Sequence, residues 1–237
     1  MEYRFVKDMK DIRGFKNVLN IDFSPKKTCT YDCVNCVAGR TNFLIGERKE
    51  FHPAEDIFDE IKSYIDDKGA PDYIMLTGSG EPTLYAGFGR LVTSIKGEFK
   101  DVKAWVYTNF SLLHRDEVRK EAALCDMVWG NLNTVIEEEF MQMYRPHVSV
   151  TLKNVMEGIR KFKAEYKGNF AMDTRFLKGI NDSEKNVSGL REFVTSVNPG
   201  KYDILDAKYG GQPLSEDFVR MVKEKFAGVS FTIEFHI

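Results

Sequence analysis

Apolar residues along the chain follow two alternating rhythms. In short runs, every second residue or nearly every residue is apolar, which is a strand pattern. These runs are NVLNIDFS (17–24), PDYIMLTG (71–78), VKAWVYTN (102–109), DMVWGNLN (126–133), NFAMDTRFLKG (169–179), KYDILDA (201–207) and VSFTIEFHI (229–237). Between them, apolar positions return every three to four residues and predict helices. These segments are 53–67, with Pro53 near the first turn, then 88–99, 115–125, 152–166, 183–197 and 215–226. Ser183 is placed to cap the fifth of them. Six strand–helix units in succession predict an α/β fold with a parallel sheet and right-handed crossovers. Periodicity alone leaves a doubly wound sheet and a complete or partial barrel equally open. No linker or low-complexity stretch interrupts the pattern, so residues 1–237 read as one domain.

In all these folds the loops that follow the strands gather at one edge, where function also gathers. The least ordinary sequences of the chain occupy those loops. A cysteine-rich stretch follows the first strand, and TGSGEPTLY (77–85) the second. TNFSLL (108–113), NLNTVIEEEFMQMYRPH (131–147), RFLKGIND (175–182) and DAKYGGQP (206–213) follow the next four. They are predicted to share one rim.

Composition narrows the class. The chain is 43% hydrophobic and 30% charged, the profile of a globular protein. The N-terminus shows no apolar signal-peptide core, and no apolar run approaches the roughly 20 residues that span a bilayer. The expected location is cytoplasmic, without membrane association, and thiols there stay reduced. A formal net charge of -2 excludes a surface that attracts nucleic acid as a whole. Lys7, Lys10, Arg13, Lys16, Lys26 and Lys27 crowd the N-terminal region and read as a solvated face.

Three of the four cysteines, Cys29, Cys33 and Cys36, fall within eight residues. An odd number of thiols in a reducing compartment argues against a disulfide. Structural zinc takes four closed ligands, and the fourth would have to come from Cys125 or one of four histidines. A 4Fe–4S cluster that only carries electrons also takes four thiolates. Three thiolates leave one iron open for a ligand, as catalytic metal sites do.

The spacing Cys29-x3-Cys33-x2-Cys36 after a first strand resembles the signature of the radical S-adenosylmethionine (SAM) superfamily. The resemblance implies a partial (β/α)6 barrel, here with an extra C-terminal strand. It implies a 4Fe–4S cluster on the three cysteines, with SAM chelating the open iron. One electron, from a donor of the flavodoxin or ferredoxin type, then cleaves SAM to a 5′-deoxyadenosyl radical that attacks a substrate. Cofactors of this kind carry the hard chemistry while the protein places them and excludes solvent. The chain departs from the family at Asn35, where an aromatic residue usually packs near the adenine; Tyr31 is the expected partial substitute.

Other loops extend the match. A glycine-rich turn exposes backbone to a ligand, and Gly78, Ser79, Gly80, Glu81 and Pro82 resemble the family turn that holds the SAM amino group. Thr108, Asn109, Asn131 and Asn133 are expected SAM contacts, the last two because alternation puts them on one strand face. Arg175 is expected at the SAM carboxylate, and Arg145 or Lys178 at the substrate. Asp206 and Lys208 fall where the family places adenine contacts. GSGEPTL, RPH and KGIND together most resemble the branch related to wyosine-base synthase, a tRNA-modifying enzyme with a second cluster. Only Cys125 remains for such a cluster, so the chain reads as a minimal relative of that branch. Cys125 itself is expected to be buried, Trp105 and Trp129 to line the core or barrel, and IEEEF (136–140) to open a solvated helix. His52, His114 and His236 show no evident partner in the sequence. The substrate, whether RNA base, peptide or metabolite and possibly macromolecular in size, is not legible. Two other readings stay open: a zinc- or cluster-stabilised non-catalytic binding protein, and a cluster enzyme that transfers an aminocarboxypropyl group from SAM.

Overall fold

The computed structural model describes residues 3–205 and 212–237. Eight strands form one curved sheet, in which Phe15–Asp22 (β2) is followed in order by Tyr73–Thr77 (β5), Lys103–Thr108 (β6), Met127–Asn131 (β7), Asn169–Arg175 (β8), Lys201–Leu205 (β9) and Thr232–His236 (β10), all parallel. Val6–Ile12 (β1) adds antiparallel to the outer edge of β2. A short parallel pair, Thr28–Cys29 (β3) and Phe43–Leu44 (β4), brackets the cysteine loop. Helices Ala54–Lys68 (α1), Phe88–Glu98 (α2), Asp116–Ala122 (α3), Glu137–Tyr144 (α4), Leu152–Glu165 (α5), Glu184–Val197 (α6) and Glu216–Lys225 (α7) connect the strands. The partial barrel and its extra C-terminal strand are therefore present; β1 is an addition that periodicity did not predict. Among the described residues no helix is long and apolar enough to cross a membrane.

Strand alternation divides the interior in two. Ile74 and Leu76, Ala104 and Val106, Phe170 and Met172, and Tyr202 and Ile204 face the helices and form the main core. Their neighbours face the lumen, where Val18, Met75, Trp105, Met127, Trp129 and Ala171 make a second, smaller cluster. Above it the lumen turns polar. Asn131, Asp173, Asp203 and Glu234 occupy one register row across β7, β8, β9 and β10.

The β1–β2 turn neutralises that row. Arg13, at φ 51° before Gly14, sends its guanidinium inward to Asp173 Oδ2 at 3.0 Å and Asp203 Oδ2 at 2.9 Å. It lies 4.5 Å over the Trp129 ring. Arg13 is thus a partly buried counter-ion to two buried carboxylates rather than part of a solvated basic face. Lys27 also departs from that expectation. It is only 5% exposed and its ammonium donates to the Gly39 carbonyl, closing the cysteine loop. Ser183 caps α6 as predicted, accepting from the Asn186 N–H.

Candidate cluster and SAM site

The cysteine loop leaves β3 and is held from below and from the side. Ile45 N–H donates to the Cys29 carbonyl, His147 N–H to Thr30, and Val34 N–H to Met143. Asp32 accepts from the Thr41 N–H at 2.8 Å and pairs with Arg40 at 2.7 Å. Cys29, Cys33 and Cys36 consequently line one cleft of about 260 Å³. Cys29 is buried, while Cys33 and Cys36 are half-buried. Burial, reinforced by negative charge on Glu81, pushes the Cys29 thiol up to about 12; burial and the two other thiols push Cys33 up as well. Three thiolates crowded in this way require a compensating cation, and the irons of a cluster supply that charge. The donor set therefore fits a cluster held by three thiolates. Cys125, the fourth thiol, is 3% exposed and lies at the start of β7, away from this cleft.

The Gly-Ser-Gly-Glu-Pro turn forms the opposite wall. Gly78 adopts φ +143°, and a Cβ there would run into the Asp22 carboxylate; a Cβ on Gly80 would run into the Thr28 carbonyl. Only glycine lets the turn lie this close to the cysteine segment. Ser79 N–H donates to Asp22 Oδ2 at 3.1 Å, and Glu81 N–H to the Thr28 carbonyl at 3.0 Å. Pro82 begins a buried turn of 3-10 helix behind the cleft.

Glu81 lines the cleft, yet its carboxylate is largely engaged within the protein. Oε1 accepts from Thr83 N–H at 3.0 Å, Thr83 Oγ1 at 2.5 Å and Thr108 Oγ1 at 2.6 Å. Oε2 accepts from Asn109 N–H at 2.7 Å and has capacity for one further donor. Burial raises the Glu81 pKa, and the four donors oppose the rise. The residue ties the loop after β5 to the loop after β6. Asn109 continues the chain of contacts, donating to Thr30 Oγ1 at 2.9 Å and to Cys29 Sγ at 3.5 Å.

Of the residues singled out in the sequence, Gly78, Ser79, Gly80, Glu81, Thr108, Asn109 and Asn131 line the cleft with the three cysteines. Asn133 does not. β7 ends at Asn131, so alternation stops before it reaches Asn133. The Asn133 carboxamide oxygen instead accepts from the Arg175 N–H at 2.8 Å. Arg175 faces an adjoining cavity of about 430 Å³ with Arg13, Asp203, Glu234 and His236. Arg145, in a left-handed conformation at the end of α4, is exposed and does not line the cleft; Lys178 is exposed too. Asp206 and Lys208 lie outside the described residues. Tyr31 touches the cleft, but its ring is 1% exposed and packs 4.7 Å from Tyr144, so it is chiefly a core residue. All three of those histidines have partners: His52 Nδ1 lies 3.2 Å from Arg4, His114 Nδ1 3.0 Å from the Ser111 carbonyl, and His236 Nε2 3.4 Å from Glu234.

Sequence reasoning missed Lys27, Thr77 and Tyr107, which also line the cleft. Alternation with Trp105 was the available signal for Tyr107. Its hydroxyl donates to Asp173 Oδ2 at 2.9 Å, so the wall between the cleft and the adjoining cavity is the chain Tyr107–Asp173–Arg13.

The superfamily profile described as "Radical SAM superfamily" matches residues 23–187. A UPF0026 protein of Methanocaldococcus jannaschii is 34% identical over 185 residues, covering 77% of this chain and 57% of that protein. A UPF0026 protein of Helicobacter pylori (strain J99) is 29% identical over 227 residues, covering 93% of this chain and 73% of that protein. The chain thus spans just over half the length of the first of these relatives. Among solved structures, TYW1 with a lysine–pyruvate adduct bound superposes with a TM-score of 0.70 at 14% identity, over 92% of this chain and 76% of that one. That likeness shows a shared fold. The identity to the Methanocaldococcus jannaschii protein makes the chain a UPF0026 homologue, and the profile match, which covers well over half of its length, establishes that it belongs to the radical SAM superfamily.

Proposed function

We propose that this enzyme holds one 4Fe–4S cluster on Cys29, Cys33 and Cys36, binds SAM in the adjoining cleft and cleaves it reductively to modify a substrate. The observation that carries the reading is the convergence of three thiols and the Gly78–Glu81 turn on one cleft. When bound, the cluster and SAM would supply one-electron reductive cleavage chemistry, with the electron coming from a donor protein. The chain's own residues bind and orient. The glycine turn brings backbone groups close to the ligand, and the free capacity of Glu81 Oε2 suits an ammonium group. Asn131 and Tyr107 present polar groups on the side facing Asp173. The wall of buried side chains behind them limits water in the cleft.

The resemblance of GSGEPTL, RPH and KGIND is what supports placing the chain near the wyosine-base branch. One cysteine beyond the three is present in this chain, so the reading includes a single cluster. Anaerobic reconstitution with iron and sulfide, reduction with dithionite and addition of SAM provide the test. Formation of 5′-deoxyadenosine that depends on all three cysteines is expected. Methylthioadenosine would instead indicate aminocarboxypropyl transfer, and zinc without iron would indicate a non-catalytic metal-stabilised protein.

A further inference from the structure

Lys27 stands just before the first cysteine and is buried. Its backbone is pinned by the segment that closes the loop. The Lys27 N–H donates to Asn42 Oδ1 at 3.2 Å, and its carbonyl accepts from the N–H groups of Asn42 at 2.9 Å and Phe43 at 3.1 Å. Lys26 beside it is exposed, in a left-handed conformation at φ 54°. The turn thus sends one lysine to solvent and the next inward. Lys27 lines the cleft together with Cys29, Cys33 and Cys36. An ammonium has three donors, and one of them goes to the Gly39 carbonyl. Two are left over.

A buried lysine is ordinarily paired with a carboxylate, because an uncompensated buried charge is costly. Among the described residues no carboxylate forms an ion pair with Lys27. The nearby acids are engaged elsewhere. Asp32 pairs with Arg40 and accepts from the Thr41 N–H. Asp22 accepts from the N–H groups of Ser24 and Ser79. Glu81 is held by Thr83, Thr108 and Asn109. Among the described residues Lys27 is the only cation that lines the cleft, and it shares that cleft with three thiols. Against burial, which disfavours both thiolates, its charge favours the thiolate form of Cys29 and of Cys33. Three thiolates outweigh the charge of an oxidised 4Fe–4S core by one, and reduction by one electron adds a second negative charge. Such a centre is the anion that this lysine lacks.

We infer that Lys27 is the counter-ion of the cluster: its buried ammonium balances the negative charge of the thiolate-held centre and raises the potential at which that centre accepts an electron. The inference rests on the proposed placement of the cluster on the three cysteines. In the reduction one electron passes from the reductant to the iron–sulfur centre, no proton is taken up, and no bond to the protein forms or breaks. A fixed positive charge stabilises the more negative product more than the reactant, so it moves the equilibrium toward the reduced state. A role in closing the loop would need only the hydrogen bond to Gly39, which a neutral donor also makes.

The test compares wild type, Lys27→Gln, Lys27→Met and Lys27→Arg after anaerobic reconstitution, by iron content and by an EPR-monitored redox titration with dithionite. Glutamine keeps a donor for the Gly39 carbonyl without the charge, methionine keeps the apolar stem, and arginine keeps the charge. Circular dichroism of the iron-free proteins checks that each folds. Both neutral variants are expected to lower the equilibrium constant for reduction about tenfold or more, a fall of about 59 mV for a one-electron couple, and Lys27→Arg to stay near wild type. Folded neutral variants that retain no iron, beside a Lys27→Arg protein that does, would support the same charge requirement. An unchanged potential in a neutral variant that holds the cluster would overturn the inference. So would an equal fall in Lys27→Arg, or failure of both neutral variants to fold without iron, since either would make Lys27 a strut of the loop. If the wild type itself takes up no cluster, the proposed function fails and this inference with it; a wild-type cluster indifferent to the charge at this position removes the inference alone.

Discussion

Asn109 donates its side-chain N–H to Cys29 Sγ while its backbone N–H holds Glu81. A hydrogen bond to a cluster sulfur favours the more negative, reduced state and so raises the reduction potential. Asn109→Ala is expected to lower the potential of the reconstituted cluster in an EPR-monitored redox titration; an unchanged potential would remove this role. Asp173 offers a second test at the same scale. Burial raises its pKa, while Arg13, Tyr107 and Arg175 oppose the rise and Asp203 adds to it. A raised folded value means that the folded protein keeps this proton to a higher pH than the unfolded chain does. Its contribution to stability therefore grows as pH falls toward the ordinary carboxyl value of about 3.9, and is lost as pH rises through the folded value. Asp173→Asn should flatten urea-derived stability against pH across that window, and an unaltered slope would contradict the assignment.

The β1–β2 hairpin acts as a plug for the polar half of the lumen. Removing one partner of a buried ion pair leaves the other uncompensated, so Arg13→Ala is expected to lose roughly 3–5 kcal/mol in urea unfolding. A loss below about 1 kcal/mol would mean that Asp173 and Asp203 do not depend on it. The loop pair held by Glu81 makes a similar element-scale prediction. Glu81→Gln replaces one acceptor oxygen by a donor, leaves a buried N–H or hydroxyl unpaired, and should cost about 1–3 kcal/mol while weakening SAM binding measured by equilibrium dialysis. These elements were unequally legible in the sequence. The parallel strands announce themselves because each alternates cleanly between helix side and lumen. β1 does not, because its register shifts between Val6 and Met9 and again between Lys10 and Ile12. Its apolar residues accordingly recur every third position, a spacing that fits neither a strand nor a helix.

For the molecule as a whole, the cysteine spacing and the Gly-Ser-Gly-Glu-Pro turn were readable because each meets a local demand, three thiols on one loop and a turn that excludes Cβ atoms. Arg175, Asn133 and Arg13 were not, because their places follow from where strands end and which strands become neighbours on closure. The lumen keeps the mark of that arrangement: Trp105 Nε1, Trp129 Nε1 and Asp203 Oδ1 are buried there without hydrogen-bond partners. Asp203 lines the cavity adjoining the cleft and Trp129 a separate one of about 290 Å³ with Phe15 and Lys201, where waters would satisfy such groups. The whole account depends on three thiolates leaving one iron open to SAM. EPR spectroscopy of the reduced, reconstituted protein before and after SAM addition tests this most directly. The account predicts a 4Fe–4S signal whose g-values shift with SAM in the wild type and in Cys125→Ala, and no such signal in Cys29→Ala, Cys33→Ala or Cys36→Ala. A cluster signal indifferent to SAM, or one that survives loss of any of the three cysteines, would contradict it.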